Sequence, residues 1–349
     1  MFSDIPYVYH ILVIKMYING VSRNISQQYT NKQQRVPLSI ISNGNLRQIE
    51  QQQQQIQQIR FPVIQNKEEV QQFYHIEFPI GLSYDPQDIT EYEHIVYRSM
   101  RLREEYLPEF NVPQKEITSE DRSDAVHWLC RLHYKCQLTT ETLHRSIGIL
   151  DRVIAATSIS ARKLKLICSA TMLIASKIED IRPLLIRDIL TIAGGEFTSD
   201  DLKKMEVNLI NLIGFDTEFP TPLFFLNILL RLNGQNMQVM LFARYVIEVC
   251  LTSPEFMNVK PSAIAATALM MTRTIAGIEP WTETLSLYTQ YSFEDLCHHC
   301  KVAHRLLLKI GADDTDFIKR KYSIDEFHNV SCTTIPDRSE ERRVGKECR

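Results

Sequence analysis

Between residues 163 and 183, KLKLICSATMLIASKIEDIRP, apolar and small positions run almost without interruption. Leu164, Leu166, Ile167, Ala170, Leu173 and Ile174 leave no polar stripe, so the pattern predicts a helix enclosed by other helices. The character changes abruptly at Lys177, Glu179 and Asp180, and Pro183 stops the helix. PSAIAATALMMTRTIAG, at 261–277, repeats the same pattern more faintly, with Ala263, Ala265 and Ala266 allowing close approach. Around the first of these hubs, periodic segments predict helices at 119–135, 140–157, 161–177, 186–193 and 198–213. Around the second they predict helices at 222–232, 237–252, 260–275, 283–288 and 292–310. Thr139 or Thr140 with Glu141, and Thr198 with Asp200 and Asp201, supply starts; Gly194 with Gly195, and Gly214, supply stops. Ahead of both sets an amphipathic helix is predicted over 85–105, with Ile89, Tyr92, Ile95, Val96 and Met100 on one face. The expectation is an all-α fold made of two tandem five-helix repeats.

Composition narrows the function. The chain has 349 residues, 44% hydrophobic and 23% charged, enough for two compact units or one unit with tails. A net charge of −3 gives no electrostatic reason to expect nucleic-acid binding. The eight cysteines lie in apolar helical contexts, as buried thiols do in a reducing compartment. An apolar run at 7–14 is too short to span a bilayer and lacks the flanks of a signal peptide, so no membrane partner is expected. That leader reads as a disordered extension or an upstream start with Met16 as the true one. From 26 to 72 the chain is rich in Gln, Asn and Ser, too poor in large apolar groups to offset ordering, and 1–84 is expected to be a disordered arm. GxxxxGK[ST], HExxH and GxSxG are absent from the sequence, and no cofactor is expected. Cys297-His298-His299-Cys300 lies in an amphipathic helix without a second ligand pair, so no metal is expected either.

Three blocks carry a resemblance. They are Ala170 to Pro183 (ATMLIASKIEDIRP), LHRSIGILDR at 143–152, and FDTEFPTPLFFL at 215–226. With these blocks at their order and spacing along the chain, the stretch over roughly 84–331 resembles the mitotic (A- and B-type) cyclins. That resemblance implies the cyclin fold, with an N-terminal helix and first box over 85–218, a second box over 219–331 and a tail over 332–349. It implies a non-enzymatic regulatory subunit that binds and allosterically activates a cyclin-dependent kinase, controlling mitotic progression in nucleus and cytoplasm.

The resemblance also implies sites. Lys177 and Glu206 fall where the family grips the kinase backbone, and charge-assisted bonds to main-chain groups suit that task. Ile178 stands where Phe or Tyr is common, keeping an apolar contact of smaller area. Glu179 and Asp180 follow the family's acidic pair, which could meet arginines of the kinase or simply be solvated. Arg122 and Asp151 match a pair that joins the first two box helices and belongs to the fold. RVPLSIISN, at 35–43, fits the mitotic destruction box through Arg35, Leu38, Ile41 and Asn43. It implies degradation through a ubiquitin ligase of the anaphase-promoting type, with Lys32 and Lys67 as nearby acceptors.

The clearest departure is DRSDAVHWL at 121–129, where many mitotic cyclins read MRAILVDWL. Asp121, Asp124 and Ala125 replace apolar residues of the patch that docks Arg-x-Leu peptides of kinase substrates, while Trp128 remains; Lys165 completes the candidate docking set. Carboxylates there are expected to weaken apolar docking or favour basic peptides. The basic triplet Lys319, Arg320 and Lys321 is too short to decide nuclear import. RSEERRVGKECR, at 338–349, reads like a translated sequencing adapter, which leaves the true end open. Two alternatives stay open: a cyclin-fold transcription-factor core, which should show a basic face, and a transcription-type cyclin, which would not be expected to carry RVPLSIISN.

Overall fold

The computed structural model describes residues 93–108, 114, 116–232 and 236–335. All of these fall in a single compact unit within Tyr92–Arg349, and among them every regular element is helical. The arm, including Arg35, Leu38, Ile41 and Asn43, lies outside the described residues, as does 338–349.

The first helix, α1 (Glu93–Glu104), is followed by α2 (Ser119–Cys136), α3 (Thr140–Ala156), α4 (Leu164–Glu179), α5 (Ile186–Ala193) and α6 (Ser199–Leu212). The second repeat comprises α7 (Pro222–Leu232), α8 (Met237–Thr252), α9 (Pro261–Ile275), α10 (Glu283–Thr289) and α11 (Phe293–Gly311), and a short α12 (Phe317–Lys321) comes after it. In each repeat the third helix is the hub. α4 packs on α2, α3 and α6, and α9 packs on the equivalent α7, α8 and α11. The reason is the absence of a polar stripe: Ile167, Ala170, Leu173 and Ile174 are all buried, as are Ala263, Ala265 and Ala266. Each large side chain so enclosed contributes about 1.5–3 kcal/mol.

Local chemistry sets the helix ends. Thr198 starts α6 through a capping box with Asp201, and Ser292 does the same for α11 through Asp295. Gly194, at φ 71°, closes α5 in the left-handed conformation that favours glycine. The predicted start of α4 at Ala161 is instead a 3-10 turn, Ala161–Lys163.

Of the face expected for α1, Ile89 and Tyr92 lie outside the described residues, and the rest differs from expectation. Ile95 is exposed, Val96 and Met100 are half-buried, and the buried stripe is Glu93, Tyr97 and Glu104. Each buried acid finds a partner on or near the second repeat. Glu93 pairs with Arg231 at 2.6 Å, and Glu104 accepts from the Ser262 amide at 3.0 Å and hydroxyl at 2.7 Å. Partners supplied by α7 and α9 therefore override the apolar periodicity.

The segment that follows the second repeat is tied down by charge, to α8 and to α2. On α12, Lys321 is buried and bonds Glu248 of α8 at 2.6 and 2.9 Å, while the Tyr322 hydroxyl donates to the same carboxylate at 2.7 Å. Just before α12, the Asp316 carboxylate lies 3.0 Å from Nε2 of His127 on α2.

Candidate functional site

The last turn of α4 places Lys177 at a helix C-terminus, where a cation is favoured. Its ammonium bonds the carboxylate of Glu206 on α6. The pair is on the surface, with the Lys177 side chain 49% and the Glu206 side chain 18% exposed. Ile178 beside it is half-buried.

The two acids that follow are neither solvated nor open to a partner in the way the resemblance implied. Glu179 is buried, and the arginine it meets is the chain's own Arg145, from α3. Asp180 turns back to the start of α3, where it accepts from the Thr139 amide at 3.0 Å and the Thr142 hydroxyl at 2.5 Å. Thr139 makes no side-chain cap of its own, so Asp180 caps α3 from a distance in sequence. Burial raises the Asp180 pKa, and the threonine bonds only partly offset it.

Three apolar residues on the elements that carry this pair, or just beyond them, are exposed: Ile181 (72% exposed) just beyond α4, Val207 (58%) next to Glu206, and Phe215 (73%) in the α6–α7 turn. Phe215 has φ +60°, a left-handed backbone that is exceptional for a bulky side chain. Its amide donates to the Ile210 carbonyl at 3.1 Å, which fixes the backbone of the turn. Sequence reasoning missed these three. The one available signal was an aromatic placed directly after a helix-stopping glycine and before the polar run Asp216, Thr217, Glu218.

The candidate docking set is divided by the fold. Asp121 closes the capping box of α2: its carboxylate accepts from the Thr118 amide at 2.7 Å and hydroxyl at 2.9 Å, which hold its pKa below the usual range. Ala125 is buried in the core and presents nothing to a peptide, so it leaves the set. Asp124 is exposed. Trp128 and Lys165 do come together, with the ammonium 4.4 Å from the indole centroid and also bonded to Glu196. The Trp128 Nε1 is buried without a hydrogen-bond partner.

Arg122 and Asp151 form a two-pronged pair at 2.8 Å on each prong, joining α2 to α3. A third bond, from Arg122 to the Leu251 carbonyl at 2.8 Å, extends the pair into the second repeat. Among the described residues no group of three or more His, Cys, Asp or Glu is placed to hold a metal. Cys300 is a buried thiol, its pKa pushed up to about 12 by burial. No helix among the described residues is long and apolar enough to cross a membrane.

Two tandem five-helix repeats, each built on a buried third helix, define an all-helical double-repeat scaffold of the cyclin-box class. The chain belongs to the cyclin family: the N-terminal cyclin domain matches residues 89–218 and the C-terminal cyclin domain matches residues 220–336. It is 31% identical over 240 residues to cyclin-B2-2 of Oryza sativa subsp. indica, covering 67% of this chain and 57% of that one. It is 30% identical over 255 residues to the G2/mitotic-specific cyclin-B3 of Gallus gallus, covering 72% of this chain and 63% of that one. The match thus spans less than two thirds of either relative. A viral cyclin from herpesvirus saimiri shares the fold, with a TM-score of 0.55 at 24% identity over 60% of this chain and 96% of that one.

Proposed function

We propose that the chain is a regulatory subunit that binds a cyclin-dependent protein kinase and activates it allosterically during mitosis. It supplies no catalytic atom; its rigid first repeat presses on a mobile regulatory helix of the kinase and brings the kinase's own residues into catalytic geometry. The observation that carries this reading is the exposed Lys177–Glu206 pair, which joins the last turn of α4 to the middle of α6, on elements that also expose the apolar side chains of Ile181, Val207 and Phe215. An ammonium and a carboxylate bond a partner's main-chain carbonyls and amides, while the apolar rim gains from being covered. The mitotic assignment draws on the relatives, which are named as B-type and G2/mitotic-specific cyclins. The test is co-purification with a cyclin-dependent kinase followed by a histone-kinase assay. A Lys177→Glu, Glu206→Lys double variant that is folded and still activates the kinase refutes the reading.

Two further parts belong to the same proposal. Arg35, Leu38, Ile41 and Asn43 act as a destruction box read by a ubiquitin ligase of the anaphase-promoting type. Arg35→Ala with Leu38→Ala then keeps the protein level high through the end of division, and a level that still falls on schedule removes this part. The protein works in both nucleus and cytoplasm, which imaging of the tagged chain checks.

A further inference from the structure

Arg145, Gly148 and Arg152 stand at i, i+3 and i+7 on one face of α3. Against that face lies the segment leading from α6 to α7. Phe219 is buried there, with the guanidinium carbons of Arg145 and Arg152 at 5.6 and 5.1 Å from its ring centroid. The ring presses so closely on Gly148 that a Cβ at that position would come within 2.2 Å of it. Arg152 donates to the Asp216 carbonyl at 3.0 Å and to its carboxylate at 2.6 Å. Arg145 is itself buried and has two partners in two different places. One is the Glu179 carboxylate, two residues beyond Lys177; the other is the Thr217 carbonyl, two residues beyond Phe215.

From this we infer that Arg145 is a positioning residue for the docking surface, an inference that rests on the kinase-binding reading above. Its fork ties the end of α4, which carries Lys177, to the turn that carries Phe215, and so fixes the spacing between the charged and aromatic parts of that surface. A planar guanidinium suits this task because one rigid group reaches a carboxylate and a carbonyl at once. Phe219, seated on Gly148, holds the same turn from its other end.

The test separates positioning from plain stability. Removing Arg145 alone would take a buried cation from the Glu179 carboxylate, so the informative variant is Arg145→Met with Glu179→Met, which replaces a buried pair by apolar groups of similar size. It is expected to keep the wild-type unfolding midpoint yet bind a purified cyclin-dependent kinase about tenfold more weakly. Backbone amides of Phe215, Asp216 and Thr217 are expected to exchange faster in the free chain. Gly148→Ala, which changes neither Arg145 nor Glu179, is expected to weaken binding and speed the same exchange by displacing Phe219, with a lowered unfolding midpoint from the overpacking. A folded double variant with wild-type affinity and unchanged exchange overturns the inference. If the double variant does not fold, Arg145→Lys decides by the same readouts, since an ammonium keeps the charge but lacks the fork. If the wild-type chain does not bind the kinase, the kinase reading falls, and exchange at Phe215–Thr217 still decides whether Arg145 sets the turn.

Discussion

Lys177 and Glu206 are bonded to each other in the free chain, across α4 and α6. A partner that takes either group must open this pair. Because both side chains reach solvent, opening costs only about 0–1 kcal/mol. The pair thus holds two long side chains in register without locking them.

Lys177→Glu or Glu206→Lys alone is expected to change stability by no more than about 1 kcal/mol and to weaken kinase binding by about 2–5 kcal/mol. The double swap restores the mutual pair but presents each bonding group in the wrong place, so activation stays lost. Chemical denaturation and kinase titration of the three variants check this. A double swap that regains activation would mean that the pair matters only to itself.

Arg122→Met is expected to be severe for another reason. It strands Asp151, whose side chain is 18% exposed, and leaves the Leu251 carbonyl without its donor. The cost is about 3–5 kcal/mol, read as a shifted urea midpoint at constant slope. Kinase binding should fall only in proportion to the unfolded fraction, recovering on cooling.

Mild acid should destabilise the fold through two buried histidines. His133 and His144 have pKa values lowered to about 3, first by burial and then by the charge of Lys321. The His133 Nε2 faces the Thr139 carbonyl at 2.9 Å, while its Nδ1 and both ring nitrogens of His144 have no partner. The unfolded chain binds these protons near pH 6.5 and the folded chain does not, so stability falls as pH drops below that point. Each histidine accounts for about 2 kcal/mol lost by pH 5. His127 acts in another window. Burial works against its charge, but Asp316 and the Ser123 carbonyl outweigh it and raise its pKa, so its contribution is lost as pH rises above 6.5. His144→Leu is expected to reduce the slope of unfolding free energy between pH 5 and 6.5, read by urea unfolding across that range.

The two acids on α2 should separate experimentally. Asp121→Met removes a capping box and is expected to lower the unfolding midpoint. Asp124→Ile removes only an exposed charge and is expected to improve binding of an Arg-x-Leu peptide beside Trp128. Peptide titrations of both variants, with Asp121→Met plus Asp124→Ile alongside, check this; no gain in any of them removes the docking idea.

Much of the architecture was legible because the hubs lack a polar face: 164–175 and 261–275 have no way to be helices except inside others. Thr198 with Asp201, Gly194 and Gly214 were readable because capping chemistry is local. What the sequence hid was non-local. Lys321 looks like one of three surface cations, yet it is buried against Glu248, 73 positions away. The only hint was a lone carboxylate in the apolar run YVIEVCL. Arg145 likewise reads as an ordinary helix-face charge until α4 and the 215–219 turn are brought to it. Asp121 was misleading in the opposite way, since a local capping role was hidden behind a comparison of types.

The Lys321–Glu248 contact sets a boundary for anyone cutting this molecule. A fragment ended at Gly311, where the repeat pattern stops, would keep the carboxylate inside α8 and discard its cation and the Tyr322 hydroxyl. The minimal expressible piece therefore extends past the last repeated helix, and a shorter one would carry a lone interior anion from the moment it was made.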